Sequence, residues 1–213
     1  MTTIFSSVRK CFHCQKESEQ RELGSTNRFG ACDLDGRPPE MFRSSMSCWV
    51  QECPHCGYVG RNLTDSTTAP AELIESEGYR TYDGIAFESE LAKRFYRLYL
   101  IKMAERDAKG AFWSSLRAAW SSDDARDSAS AVKCRRLALA PLNFLIKKRP
   151  NEDRMIIKLD LLRRVGEFDE VVAYYATTSF QDKFLAKLAA FEVELARKKD
   201  DACYSVDDVA PTD

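Results

Sequence analysis

The chain has 213 residues, 44% hydrophobic and 11% aromatic, which is enough for a real core. Lys and Arg (32) nearly match Asp and Glu (33), for a net charge of -1. The excess positive charge that drives non-specific nucleic-acid binding through counterion release is absent, and no stretch approaches the roughly 18 apolar residues of a membrane span.

Residues 1–10 lack the apolar run of a signal peptide, so a soluble, cytoplasmic protein is expected. In that reducing setting, paired cysteines predict metal binding before disulfides. Residues 4–8 and 46–51 predict short strands leading into cysteine turns. Residues 27–31 predict a weaker third strand, and Tyr58-Val59 continues past the second turn. The turns are Cys11-Phe12-His13-Cys14 and Cys53-Pro54-His55-Cys56-Gly57, separated by 38 residues. Two intervening residues let both thiolates of a pair face one ion, and two such turns complete a tetrahedral sulfur shell. One structural Zn2+ on Cys11, Cys14, Cys53 and Cys56 is therefore expected, a closed shell with no open position. Gly57 supplies the positive φ such a turn needs. His13 and His55 lie between ligands and read as surface residues. Cys32 and Cys48 read as small core residues, with extra ligands the alternative.

The segment from Asp33 to Arg43 is the most unusual polar stretch. Asp-x-Asp-Gly fails as a calcium loop, because Gly36 arrives early and no Glu follows at the required offset. Arg37 and Arg43 are candidate binders of a carboxylate or phosphate, with Asp33 and Asp35 orienting them. The favoured alternative is a rigid turn whose charges pair locally.

A polar stretch ending at Pro70 marks a boundary. Residues 1–69 form a zinc ribbon with a long insertion, residues 70–200 a helical domain, and residues 201–213 a disordered tail. The expected class is α+β. Helices are expected over 71–82, from an N-cap at Ser89, and over 110–121, 124–148 (broken near Pro141), 152–165, 167–177 and 180–199. Aromatic residues such as Phe95, Tyr99, Trp113, Trp120 and Phe144 read as core. The pairs Arg135-Arg136 and Arg163-Arg164 read as solvated charge. The run from Leu161 through Gly166-Glu167-Phe168-Asp169-Glu170 to Tyr175 resembles the central turn of a tetratricopeptide repeat spanning about 152–185. Earlier copies near 111–120 and 138–145 lack a clean Gly turn. Stacked hairpins of this kind present a face suited to a partner helix or peptide.

Cys11-x-x-Cys14, Asp33-Leu34-Asp35-Gly36-Arg37-Pro38 and Trp49-Val50-Gln51-Glu52-Cys53-Pro54-His55-Cys56-Gly57-Tyr58 together resemble a bacterial family, the domain-of-unknown-function family numbered 2225. The resemblance implies a bacterial cytosolic zinc-ribbon protein with a repeat-like helical half, and it carries no activity. A non-catalytic protein-interaction or scaffold module with a protein partner is the expected function. A nucleic-acid-associated ribbon and a thiol redox sensor are the alternatives.

Overall fold

The computed structural model describes residues 1–209. Strands β1 (Thr3–Lys10) and β2 (Glu17–Ser25) form an antiparallel hairpin in the register Ser7↔Gln20 and Lys10↔Glu17, with the first cysteine turn at its tip. β2 was not expected, because Glu, Ser, Gln and Arg give it no apolar alternation. Cross-strand pairing forms it instead: Glu22 binds Arg9 at 2.5 and 2.7 Å and also accepts from Ser7. A second, minimal hairpin joins β3 (Gln51–Glu52) to β4 (Val59–Gly60) around the second cysteine turn. Gln20 Nε2 donates to Glu52 O at 3.0 Å and ties the hairpins together.

Two expected strands are corrected. Residues 46–48 belong instead to a 3-10 helix, Arg43–Cys48, where the Ser45 side chain satisfies the local backbone, and of that segment only Gln51 is in a strand. Ser45 Oγ donates to Phe42 O at 2.7 Å and accepts from Trp49 Nε1 at 3.1 Å. Residues 27–31 reduce to one bridge, Arg28↔Met41, before Gly30 leaves extended geometry at φ +95°.

The expected helix over 71–82 is two short ones, α1 (Glu72–Glu75) and α2 (Glu77–Thr81). Ser76 interrupts the backbone at ψ 150° and caps α2 through Tyr79 N. Then follow α3 (Glu90–Ala104), α4 (Ala108–Asp124), α5 (Ser128–Lys148), α6 (Glu152–Arg164), α7 (Phe168–Ala176) and α8 (Lys183–Arg197). Ser89 caps α3 by accepting from Ala92 N. α5 runs unbroken through Pro141, which is buried. Gly166 turns α6 into α7 at φ +82°, where Glu167 N bonds Leu162 O and Gly166 N bonds Arg163 O. The same pair of bonds closes α3 into α4 and α4 into α5, with Arg106 (φ 58°) and Arg126 (φ 60°) in the glycine position. Asp107 and Asp127 directly follow and cap the next helix. The same turn thus recurs at two earlier helix junctions without a glycine to mark it in sequence. No helix among the described residues is long and apolar enough to cross a membrane.

One apolar cluster runs from Cys11, Cys53, Val59 and Leu63 into Phe95, Leu98, Phe112, Leu116 and Trp120, so the core crosses residue 70 without a break. Glu52 reinforces the contact by binding Arg94 at 2.9 Å and Arg97 at 2.5 Å. A second cluster joins Leu34 to Ile156, Leu159, Leu162, Leu188 and Val193. The expected disordered tail is corrected for residues 201–209. Tyr204 and Val206 pack on the second cluster, Leu34 N donates to Tyr204 O, and Val206 N donates to Cys32 O. These residues are fixed by backbone pairing with a loop 170 residues earlier in the chain, which tail composition does not register. Residues 210–213 of that expectation lie outside the described residues.

Candidate metal centre

Both cysteine turns have the same backbone. In the second, Cys53 N bonds Tyr58 O at 2.8 Å, Gly57 N bonds Cys53 O at 2.9 Å, and Gly57 sits at φ +76°. In the first, Cys11 N bonds Lys16 O and Gln15 N bonds Cys11 O, both at 2.9 Å, with Gln15 at φ 61°. Two like turns at the ends of two hairpins bring four sulfurs together. Cys11 and Cys56 Sγ are 3.8 Å apart, Cys14 and Cys53 Sγ are 3.6 Å apart, and the ligand atoms all lie within 4.8 Å of one another. A tetrahedral thiolate shell with bonds of about 2.3 Å has edges of about 3.8 Å, so the four cysteines are positioned to hold one metal ion.

Their protonation is mutually dependent. Burial pushes the Cys11 and Cys56 thiols up. Burial also acts upward on Cys14, but the Lys16 amide and the three neighbouring thiols outweigh it and draw Cys14 down to about 7. Cys11 and Cys53 are buried and Cys14 and Cys56 half-buried, so the shell is closed toward the core. The histidines stand outside it: His55 Nε2 meets Glu17 O at 3.1 Å, and His13 stacks on Tyr58. Cys32, Cys48, Cys134 and Cys203 are free thiols away from the cluster.

The Asp33–Arg43 loop is spent on the chain itself. Arg43 binds Asp33 at 2.6 Å and Pro38 O at 2.8 Å, and Arg37 binds Asp124 of α4 at 2.5 Å. Burial pushes the Asp33 carboxyl up, with Arg43 opposing. Asp35 is 1% exposed; it accepts from Trp120 Nε1 at 2.7 Å and lies 3.9 and 3.8 Å from Arg135 and Arg164. Asp33, Asp35, Arg37 and Arg43 therefore pin the loop to the helices; they do not converge on an open site.

Behind the loop lies a charge network that the sequence placed in solvent. Arg163 is 0% exposed and Arg135 1%. Arg163 donates to Glu192 at 2.6 Å, Asp160 at 3.0 Å, and the carbonyls of Asp200 and Ala202 at 3.0 and 2.7 Å. Arg135 pairs with Asp123, as does Arg164 at 3.3 Å. The available signal was Asp160 itself, an acid inside the apolar run Leu159–Leu162 and three residues before Arg163.

No family model, curated protein or solved structure matches the chain, so the likeness to family 2225 rests on its motif residues alone.

Proposed function

We propose that the protein is a non-catalytic docking module of the cytoplasm. In this reading Zn2+ on Cys11, Cys14, Cys53 and Cys56 staples the N-terminal half to a helical array of tetratricopeptide-like hairpins. Zinc suits the set because four soft thiolates at tetrahedral spacing favour it, and a full sulfur shell leaves no position for substrate or water.

An exposed apolar hollow on the helical half carries the docking function. Met103 of α3 and Phe144 of α5, the latter expected to be core, are 46% and 56% exposed. With Ala108, Ala140 and Pro141 they line a hollow of about 450 Å³, and Lys102 and Arg106 stand at its rim. Lys102 is neutralised by Glu105 at 2.6 Å, which leaves Arg106 as the rim charge. The matching partner presents an apolar side chain beside an acidic residue, in the manner of a helix in a groove. The surface that α4, α5, α6 and α8 turn toward the loop is covered by the chain's own segments and is not the docking face.

The test compares affinity capture by the wild-type chain and by Phe144→Glu, with metal content and circular dichroism held as controls. A partner retained by the wild type and lost, by about tenfold or more, from the variant supports the proposal. An unchanged set of captured proteins overturns it.

A further inference from the structure

Four arginines in and behind the loop are buried or nearly so, and each has a carboxylate partner: Arg37 with Asp124, Arg135 with Asp123, Arg163 with Glu192, and Arg164 with Asp123. Arg117 of α4 does not share this arrangement. Its Nε is sealed from solvent without a hydrogen-bond partner, as are those of Arg37, Arg135 and Arg164, but unlike them it has no carboxylate within ion-pair distance of its guanidinium among the described residues. Burial and then the like charge of Arg61 draw its pKa down to about 10, the direction expected of a cation held without an anion. Its contacts are aromatic, with the guanidinium carbon 5.2 Å from the Trp49 ring centre and 6.0 Å from that of Trp113. Cation–π contacts at these distances offset part of the cost of burying the charge.

Arg117 stands between two hollows that open where the N-terminal half meets α4. One, of about 440 Å³, is walled by Leu23, Phe42 and Trp49; the other, of about 370 Å³, by Gly110, Trp113 and Lys109. Arg61, Asp65 and Arg117 line both, so the two are halves of one cleft. Of the remaining charges there, Lys102 is paired with Glu105 and Asp107 caps α4. Arg61, Lys109 and Arg117 then stand against the carboxylates of Asp65 and Asp107, which leaves the cleft with a net positive charge.

We infer that this cleft binds a small-molecule oxyanion, a phosphate or carboxylate group, in the fork of Arg117 with Arg61 as the second cation. The fork geometry suits a planar or tetrahedral oxyanion bound bidentately, and the volumes are those of metabolite-sized sites. The Trp49 and Trp113 rings flank the guanidinium and make the site optically visible. The site is away from the metal centre; it shares Lys102 with the rim of the Phe144 hollow but uses neither Met103 nor Phe144, so its test does not depend on the docking proposal.

The experiment is a tryptophan-fluorescence titration of the full, metal-loaded chain at low ionic strength. The probes are inorganic phosphate, pyrophosphate and citrate, with an Asp/Glu-rich hexapeptide as a fourth arm. A saturable response to at least one small anion is expected. Phosphate or pyrophosphate acting alone assigns the phosphate class, and citrate alone the carboxylate class. Affinity should fall about tenfold or more in Arg117→Gln, fall less in Arg61→Gln, and rise in Asp65→Asn. Arg117→Met should abolish binding yet unfold at a higher temperature than the ligand-free wild type, since it removes an unpaired charge; a purely packing role for Arg117 predicts the reverse. Arg61 and Asp65 are exposed, so their variants keep the test decisive if an Arg117 variant does not fold. Absence of response to all three small anions up to about 10 mM, response to the peptide alone, or an undiminished response in Arg117→Gln and Arg61→Gln overturns the inference.

Discussion

Gln15 and Gly57 occupy the same position in two cysteine turns, one residue past the second ligand, and both take the left-handed backbone. Only Gly57 announces this in sequence. Gln15 holds the conformation with its side chain, donating from Nε2 to Phe12 O at 2.6 Å. The four ligands were legible because thiol spacing is set by the chemistry of the ion. The turn that presents the first pair was not, because a side-chain hydrogen bond can substitute for a missing Cβ. The same limit applied to Asp35: its charge was visible in sequence, but its acceptor role toward Trp120 arises only when residues 85 apart meet. Cys53 is 1% exposed and sits in the shared core, so Cys53→Ser should remove stoichiometric metal and destabilise the chain by several kcal/mol, to order of magnitude. Elemental analysis with chemical denaturation checks this; a variant that keeps one ion per chain and wild-type stability would contradict it.

At the scale of elements, periodicity gave α3, α4, α6 and α8 nearly to their ends, because each buries one apolar face. It failed where polar groups decide. α6 carries Asp160 and Arg163 on its buried face, and α8 answers with Glu192. Asp160 Oδ1 and Glu192 Oε1 are both sealed with no hydrogen-bond donor, the pattern left by two carboxyl groups that share a proton. Burial pushes Glu192 up to about 8, helped by the charge of Asp160 and opposed by Arg163. Arg164, Arg135 and Asp35 also act on Asp160, whose carboxyl is raised for the same first reason. The folded chain thus keeps a proton on Glu192 that the unfolded chain releases at the ordinary glutamate value. The Glu192 contribution to stability should therefore be fullest below that value and fall as pH rises from there to about 8, by at most about 1.4 kcal/mol per pH unit. Denaturant midpoints across that range should show the decline in the wild type and a flatter profile in Glu192→Gln. Equal slopes in the two would remove Glu192 as the cause.

For the whole molecule, the cut at residue 69 separates two compositions that share one core, and the tail closes a second. Arg163 Nη1 depends on two carbonyls of that tail, Asp200 O and Ala202 O. A chain ending at residue 199 leaves those donors buried and removes Tyr204 and Val206 from their cluster. We expect it to retain its helical circular dichroism but lose about 3 kcal/mol or more in urea unfolding. A midpoint unchanged from the wild type would show that the tail contributes nothing to the fold. The tail escaped sequence reading because its burial is encoded in partners, Asp33–Leu34 and Arg163, and not in its own acidic, small-residue composition.

The pairing of Asp33 with Ser205 also has a consequence in time. Asp33 and its tail neighbour Cys203 stand 170 residues apart, so at ribosomal rates of about 5–20 residues per second roughly 10–30 s separate their synthesis. Cys56 follows Asp33 by only 23 residues, so for most of that interval the four clustered cysteines are already made, while the loop between them has no α6 or α8 to meet. Metal capture is thus open to the nascent chain early, and loop closure comes only after residues 204–206 emerge.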